Sequence, residues 1–93
     1  MLQAQVYHIK IEGTIDLGLP PYIERILKEA EKDSAKVIIL EINTFGGRVD
    51  AATQIKDLLL NTPLLTVAWV NKRAISAGSL ISLSCNKIAM VPG

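Results

Sequence analysis

The sequence contains few cysteines, few clustered charges and no long apolar segment. A single cysteine, Cys85, among 93 residues excludes an internal disulfide and any zinc site built from several cysteines. Ten basic and nine acidic residues are interspersed, so the clustered Lys and Arg of a nucleic-acid-binding surface are missing. Apolar stretches such as Val37–Leu40 and Leu64–Val70 are far shorter than the roughly 18–20 residues of a membrane-spanning helix. We therefore expect no nucleic-acid partner and no transmembrane segment within this chain.

The first residues, MLQAQVYHIKIEG, have no basic region followed by an apolar region and a small-residue cleavage site. We expect the chain as given to be soluble, with any signal or membrane anchor of the natural protein outside these residues. The hydrophobic content of 49% excludes a disordered tail, and the length allows one small domain.

Strand-like and helix-like segments alternate along the chain. Predicted strands cover Val6–Ile11, Val37–Leu40, Leu65–Val70 and Lys87–Met90, and the apolar run at Val37–Leu40 is typical of a central strand covered on both faces. Predicted helices begin at Pro20-Pro21, follow the stripe from Ala51 to Leu59, and cover Ala74–Ser84. Such alternation predicts an α/β fold with a parallel sheet. Residues 1–93 are expected to form part of one domain, because the chain stops directly after a strand, at Met90-Val91-Pro92-Gly93.

Two loops that follow predicted strands carry the candidate chemistry, because sites in parallel sheets form beyond the carboxyl ends of strands. The first loop, Asn43–Arg48, contains Gly46 and Gly47, whose N–H groups are free to approach a ligand closely. Those N–H groups precede a helix and would favour a developing negative charge. The alternative is a tight strand-to-helix turn without a function. The pair lacks the spacing of nucleotide-binding motifs, so we expect no nucleotide cofactor.

The second loop leads to Ser76, which lies among the small residues Ala74, Ala77 and Gly78. A serine that opens a helix is a candidate nucleophile, and the N–H groups beside it can stabilise an oxyanion. Serine is also a favoured helix N-cap, so a purely structural role is the alternative. Three further serines, farther into the predicted helix, are weaker candidates: Ser79, Ser82 and Ser84.

A general base for Ser76 is not evident in the sequence, and a hydroxyl without a base is inert. The single histidine, His8, is interpreted as a strand residue. Lys72 and Lys87 have no apolar setting that would lower a lysine pKa toward neutrality. Three acidic residues lack a partner that would make a catalytic carboxylate pair: Glu41, Asp50 and Asp57.

The order of these motifs resembles the N-terminal domain of NfeD-type membrane-associated serine proteases, of the Clp/crotonase superfamily. The resemblance extends from Val6 to Gly93 and depends on the segments EINTFGGRVDA, AISAGS and IAMVPG. It implies a Clp/crotonase-like parallel sheet of β–α units, truncated in this chain. Phe45 stands where the family usually has proline and Asn43 replaces the more usual aspartate, but neither change removes a backbone donor.

The resemblance also implies an activity and a set of site residues. By this resemblance, Ser76 matches the nucleophile of a Ser–Lys dyad whose lysine lies downstream of this chain. Gly47 matches the family's oxyanion hole, to which Gly46 and the Ala77 N–H also contribute. The implied protein is a serine endopeptidase that cleaves apolar segments of membrane-associated proteins, with a stomatin-like membrane protein as candidate substrate. The resemblance implies neither a cofactor nor a metal. It implies a homo-oligomer and a membrane-associated parent protein whose protease domain lies outside the cytoplasm. Two alternatives are a crotonase-type acyl-CoA enzyme and a non-catalytic assembly module of a membrane protein.

Overall fold

Strands and helices alternate in the computed structural model, which describes residues 6–91. The strands are β1 (Val6–Glu12), β2 (Val37–Thr44), β3 (Leu65–Ala74) and β4 (Lys87–Met90). The helices are α1 (Leu19–Lys32), α2 (Val49–Asn61) and α3 (Ala77–Leu83). The strands form one sheet in the order β1-β2-β3-β4, and all three pairs are parallel. The predicted parallel sheet of β–α units is confirmed. The last two residues of the segment IAMVPG, on which the resemblance partly depends, lie outside the described residues.

The hydrophobic core lies on one face of this sheet. Ile9, Leu40 and Ala68 are neighbours across β1, β2 and β3, and all three are fully buried. Each helix adds apolar side chains to the same core, among them Ile23, Ile55 and Ile81. Because right-handed crossovers connect sequential parallel strands in order, they place all the intervening helices on the same side of the sheet.

The opposite face of the sheet is only partly covered. Val37 and Ile39 are half-buried there, as are Val67 and Trp69 on β3. The prediction that the strand at Val37–Leu40 is covered on both faces is therefore wrong for residues 6–91. A continuous apolar run cannot distinguish a strand buried on both faces from one whose second face is merely shielded by its neighbours.

Three predicted boundaries differ from the structure by three or four residues. Strand β2 extends past Leu40 to Thr44, and β3 extends past Val70 to Ala74, so α3 begins at Ala77 and not at Ala74. The polar residues of both extensions resemble loop sequence. The β2 extension stays in the sheet because Glu41 and Asn43 pair with Lys10 and Glu12 of β1. The β3 extension rejoins the sheet where Ala74 pairs with Thr44.

A polar network crosses the partly covered face. The Glu41 carboxylate is only 8% exposed, and its two oxygens lie 2.8 Å from the His8 Nε2 and from the Asn71 Nδ2, which donates to it. The hydrogen bond from Asn71, followed by that with His8, holds the pKa of the Glu41 carboxyl below its ordinary value of 4.5, although burial opposes this. This network joins β1, β2 and β3 on the side away from the helices.

No helix among residues 6–91 combines the length and the apolar character that crossing a membrane demands.

Replacement of a core leucine should destabilise the fold far more than replacement of an exposed one. Leu40 is fully buried at the centre of the sheet, whereas Leu60 on α2 is 62% exposed. Leu40→Ala should lower the free energy of unfolding by about 2–5 kcal/mol, and Leu60→Ala by less than about 0.5 kcal/mol. Urea unfolding followed by circular dichroism measures both values, and equal losses would contradict this placement of the core.

The Glu41 network should make stability depend on pH in the acidic range. Because folding lowers the pKa of Glu41, its ionised form stabilises the fold above about pH 4.5. This contribution is lost as the pH falls through the lowered pKa. Glu41→Gln should therefore be less stable than the unsubstituted protein at pH 7, and the difference should shrink toward pH 3. Urea unfolding at both pH values tests this, with Glu12→Gln, an exposed carboxylate on β1, as control. A difference that stays constant with pH would contradict it.

Candidate functional site

The loops that follow β2 and β3 lie side by side at the carboxyl edge of the sheet. The Ile75 N–H donates to the Thr44 carbonyl over 3.1 Å and ties one loop to the other. A Cβ atom added to Gly46 would lie 2.9 Å from the Ser76 Cβ and 3.2 Å from the Ala77 N. The structure thus places Gly46 directly against Ser76 and Ala77, with Gly47 next to it in the chain.

Ser76 occupies a strained turn between β3 and α3. Its φ of 57° and ψ of −120° lie outside the regions that non-glycine residues usually occupy, at a cost of about 1–3 kcal/mol. Ser76 stands at the N-cap position of α3, but its side chain makes no capping hydrogen bond, and the residue is exposed. A strained strand-to-helix turn that exposes a serine hydroxyl is the arrangement used by hydrolase nucleophiles. The geometry does not support the alternative role of a helix cap.

Two of the weaker serine candidates, Ser82 and Ser84, have hydroxyls that bind carbonyls of α3. The Ser82 hydroxyl donates to the Gly78 carbonyl over 2.9 Å, and the Ser84 hydroxyl donates to the Leu80 carbonyl over 2.7 Å. Both residues are buried. Their hydroxyls are therefore committed to the helix backbone.

Gly47 forms an isolated parallel bridge with Ile15, a residue between β1 and α1. The bridge consists of two hydrogen bonds, from the Ile15 N–H to the Gly46 carbonyl (3.0 Å) and from the Arg48 N–H to the Ile15 carbonyl (2.9 Å). In a parallel bridge the central residue directs its own N–H away from the partner strand. A Cβ at Gly47 would lie 2.6 Å from the Ile15 N, so only glycine fits here at its φ of 158°.

Two backbone donors of the site remain free among residues 6–91. The hydrogen bonds of that region include none donated by the N–H of Gly47 or of Ala77. The Gly46 N–H, in contrast, donates to the Thr44 Oγ1 over 3.0 Å. The predicted help of Gly46 in an oxyanion hole is therefore not available through its N–H group as folded. Its observed contribution is the absence of a side chain beside Ser76.

Thr44 organises the glycine loop and is the residue that sequence reasoning missed. It is 1% exposed, accepts the Gly46 N–H, and donates its hydroxyl to the Gly13 carbonyl over 2.5 Å. A Cβ at Gly78 would lie 2.5 Å from the Thr44 Cγ2, so the threonine methyl also packs closely against α3. The sequence offers one indication of this role, because Thr44 lies between an apolar run and a glycine pair. That pattern alone assigns Thr44 to the loop and not to the strand.

Charged residues flank the glycine loop without entering it. Arg48 donates two hydrogen bonds to the Asp50 carboxylate, at 3.0 and 2.8 Å, at the start of α2. The Arg48 guanidinium lowers the pKa of Asp50, and Asp50 in turn raises the pKa of Arg48. This exposed pair orients the side chains at the first turn of α2, and its charges largely cancel.

None of the described residues supplies a base to Ser76 through a hydrogen bond. His8 is bound to Glu41 on the partly covered face, which agrees with its interpretation as a strand residue. Asp50 is paired with Arg48, and Asp57 lies 3.8 Å from the Lys56 ammonium. Within residues 6–91, no group of three or more His, Cys, Asp or Glu side chains is placed to hold a metal ion.

Two curated proteins match nearly the whole chain. It is 42% identical over 88 residues to the membrane protein NfeD1b of Bacillus subtilis (strain 168). It is 35% identical over 91 residues to the membrane-bound protease PH1510 of Pyrococcus horikoshii. Each match covers 95% of the chain, which spans only about a fifth of the length of these relatives (20% and 21%).

Two solved structures, among others, share this fold. The 1510-N membrane protease specific for a stomatin homolog, from Pyrococcus horikoshii, matches with a TM-score of 0.86 and 33% identity, over 99% of this chain and 48% of that one. ClpP1 from Listeria monocytogenes matches with a TM-score of 0.71 and 29% identity, over 84% of this chain and 46% of that one. The family model of the NfeD1b N-terminal domain matches residues 5–93. The chain therefore belongs to the NfeD1b N-terminal domain family, with a Clp/crotonase-like fold.

Proposed function

We propose that this chain carries the nucleophile and the oxyanion hole of a serine endopeptidase. The observation that carries the proposal is the strained, exposed Ser76, which lies against Gly46 of the glycine loop. The N–H groups of Gly47 and Ala77 are unused among residues 6–91 and are available as donors. An oxyanion hole built from the residue after the nucleophile and from a second loop has this composition. Homology to a membrane-bound protease supports the same conclusion.

The reaction proceeds by acyl transfer through Ser76. Its Oγ attacks the carbonyl carbon of the scissile amide while a base accepts the hydroxyl proton. The carbonyl oxygen becomes an oxyanion and accepts hydrogen bonds from the Gly47 and Ala77 N–H groups. The intermediate then expels the amine, which takes the proton from the base, and water hydrolyses the acyl-enzyme by the same steps. Preorganised N–H donors favour the intermediate because they need no reorientation when the charge develops.

A lysine outside the described residues completes the machinery as the base of a Ser–Lys dyad. Solved relatives include one form of 1510-N with a serine replaced by alanine, and one with a lysine replaced by alanine in complex with a substrate peptide. The lysine must be neutral near working pH, which requires apolar surroundings that lower its pKa. This chain of 93 residues alone should therefore have essentially no peptidase activity.

The proposed substrate is an extended apolar segment of a membrane-associated protein, with a stomatin-like protein as candidate. The relatives are named membrane proteins, and one is named as specific for a stomatin homolog. Exposed apolar side chains lie near both loops: Val49 (69% exposed) and Ile75 (49%). They offer contacts to an apolar chain that lies across Ser76. We further propose that the parent protein is membrane-associated, with its protease domain outside the cytoplasm, and forms a homo-oligomer.

The alternatives explain fewer of these features. A crotonase-type acyl-CoA enzyme would use two N–H groups for a thioester enolate but would give the strained Ser76 no task. A non-catalytic assembly module would need neither the strain at Ser76 nor the two unused donors.

Removal of the Ser76 hydroxyl should abolish hydrolysis without unfolding the protein. In a longer protein that contains this chain, Ser76→Ala should reduce kcat for a fluorogenic peptide by about 10³-fold or more, because the acyl-enzyme cannot form. Ser79→Ala, a hydroxyl on α3 three residues away, should leave kcat unchanged. Equal activity of Ser76→Ala and the unsubstituted protein would place the nucleophile elsewhere.

A side chain at Gly47 should damage the oxyanion loop. Gly47→Ala would force its Cβ against the Ile15 backbone, so the loop must move and the Gly47 N–H must shift. We expect a loss of about 1–3 kcal/mol in stability and of about 10²–10³-fold in kcat.

Gly18→Ala is the matched control, because Gly18 has a φ of −78° and its added Cβ would meet only the Asp16 side chain, at 3.3 Å. It should change stability by no more than about 0.5 kcal/mol. Peptide assays and urea unfolding of both variants give these values. Full activity in Gly47→Ala would remove this N–H from the mechanism.

A further inference from the structure

Phe45 is a large aromatic residue that the hydrophobic core does not explain. It directly precedes Gly46 and is 70% exposed. Its ring has one specific neighbour of opposite electrostatic character, the Arg73 guanidinium, whose Cζ lies 4.4 Å from the ring centroid. A guanidinium at this distance over an aromatic face is an attractive cation–π contact. This contact joins the glycine loop to the segment that leads to Ser76.

Arg73 reaches Phe45 because β3 contains an irregularity just before the nucleophile. Ile42 pairs with Val70 and Thr44 pairs with Ala74, so three residues of β3 lie opposite the single residue Asn43. Lys72, in the middle of the three, has a φ of 88°, which a non-glycine residue rarely adopts. Bulges of this kind redirect side chains and are common beside active sites.

Contacts from two sides hold this bulge, which comprises residues 71–73. Asn71, its first residue, donates to the Glu41 carboxylate on the partly covered face. Arg73, its last residue, stacks on Phe45 at the edge of the site. The stack adds a side-chain contact to the Ile75 N–H···Thr44 O=C bond, which ties the segment Ala74–Ser76 to the glycine loop through the backbone.

We propose that Phe45 and Arg73 are positioning residues, whose stacked side chains set the separation between the Gly47 N–H donor and the Ser76 hydroxyl. This inference rests on the proposed function, since it assigns a catalytic purpose to that separation. The pair touches neither the nucleophile nor the donors in the way a catalytic residue would. It fixes the relative place of the two loops that carry them, on which alignment in the transition state depends.

The experiment is a double-mutant cycle in a longer protein that contains this chain. Phe45→Leu removes the aromatic face, and Arg73→Gln removes the cation. Phe45→Tyr keeps an aromatic face, and Arg73→Lys keeps a cation. Values of kcat and KM are measured separately with a fluorogenic apolar peptide, and thermal unfolding midpoints are recorded. Arg25→Gln is the matched control, since it removes the second cation–π pair found among residues 6–91, Arg25 over Tyr22 at 5.8 Å, which lies within α1.

We expect Phe45→Leu and Arg73→Gln each to lower kcat about two- to fivefold with little change in KM. The double variant should be no slower than the worse single variant, because both changes break one contact. Phe45→Tyr and Arg73→Lys should recover most of kcat, and Arg25→Gln should not alter it.

Unchanged kcat in both single variants, or losses that multiply in the double variant, would overturn the positioning role while Ser76→Ala still abolishes hydrolysis. An equal loss in Arg25→Gln would assign the effect to charge alone and overturn it too. If Phe45→Leu does not fold, Arg73→Gln against Arg73→Lys decides the question. Hydrolysis that is absent, or that survives in Ser76→Ala, would overturn the proposed function and this inference with it.

Discussion

The close approach of the two connections after β2 and β3 determines the rest of the site. Backbone there lies against backbone and side chain so tightly that a Cβ at Gly46 would lie only 2.9 Å from the Ser76 Cβ. The contact is held by the Ile75 N–H bond to Thr44 and by the Ile15 bridge, which closes the glycine loop from the other side. Because both ties are backbone hydrogen bonds, they fix the direction of the neighbouring N–H groups and not only the position of the chain. The N–H groups of Gly47 and Ala77 are unused among residues 6–91, and in the proposed function they and the Ser76 hydroxyl act on one substrate carbonyl.

Strain at the site is maintained by the packing around it. Ser76 and Lys72 both have positive φ, four residues apart, and each such conformation costs about 1–3 kcal/mol. The residues that follow Ser76 enter the core at once, since Ala77 is buried and Ile81 is fully buried. A turn anchored to a packed helix on one side and a paired strand on the other cannot relax without exposing apolar surface. The strained conformation is thus the one that the surrounding contacts impose.

The sequence allowed the parallel sheet and the location of Ser76 and the glycine pair to be predicted, because these depend on short-range patterns. Alternation of apolar runs and amphipathic stretches identified the β–α units, and small residues marked the two loops. The strand extensions could not be predicted, since Glu41 and Thr44 are polar. Glu41 is buried only because His8 and Asn71, about thirty residues away on either side, bind its carboxylate. The bulge and the φ of Ser76 likewise follow from pairing between distant segments, which a local pattern does not encode.

The bulge in β3 also preserves the alternation of side chains in the segment that leads to the nucleophile. Side chains of a strand alternate between the two faces of a sheet, so a surplus of one residue would reverse every later position. Three residues opposite one amount to a surplus of two, and Ala74 therefore returns to the helix-covered face, where it packs against the core. Evolutionary change in this segment should occur in steps of two residues. A single insertion or deletion would turn the approach to Ser76 toward the wrong side of the sheet, whereas loss or gain of a pair would preserve it.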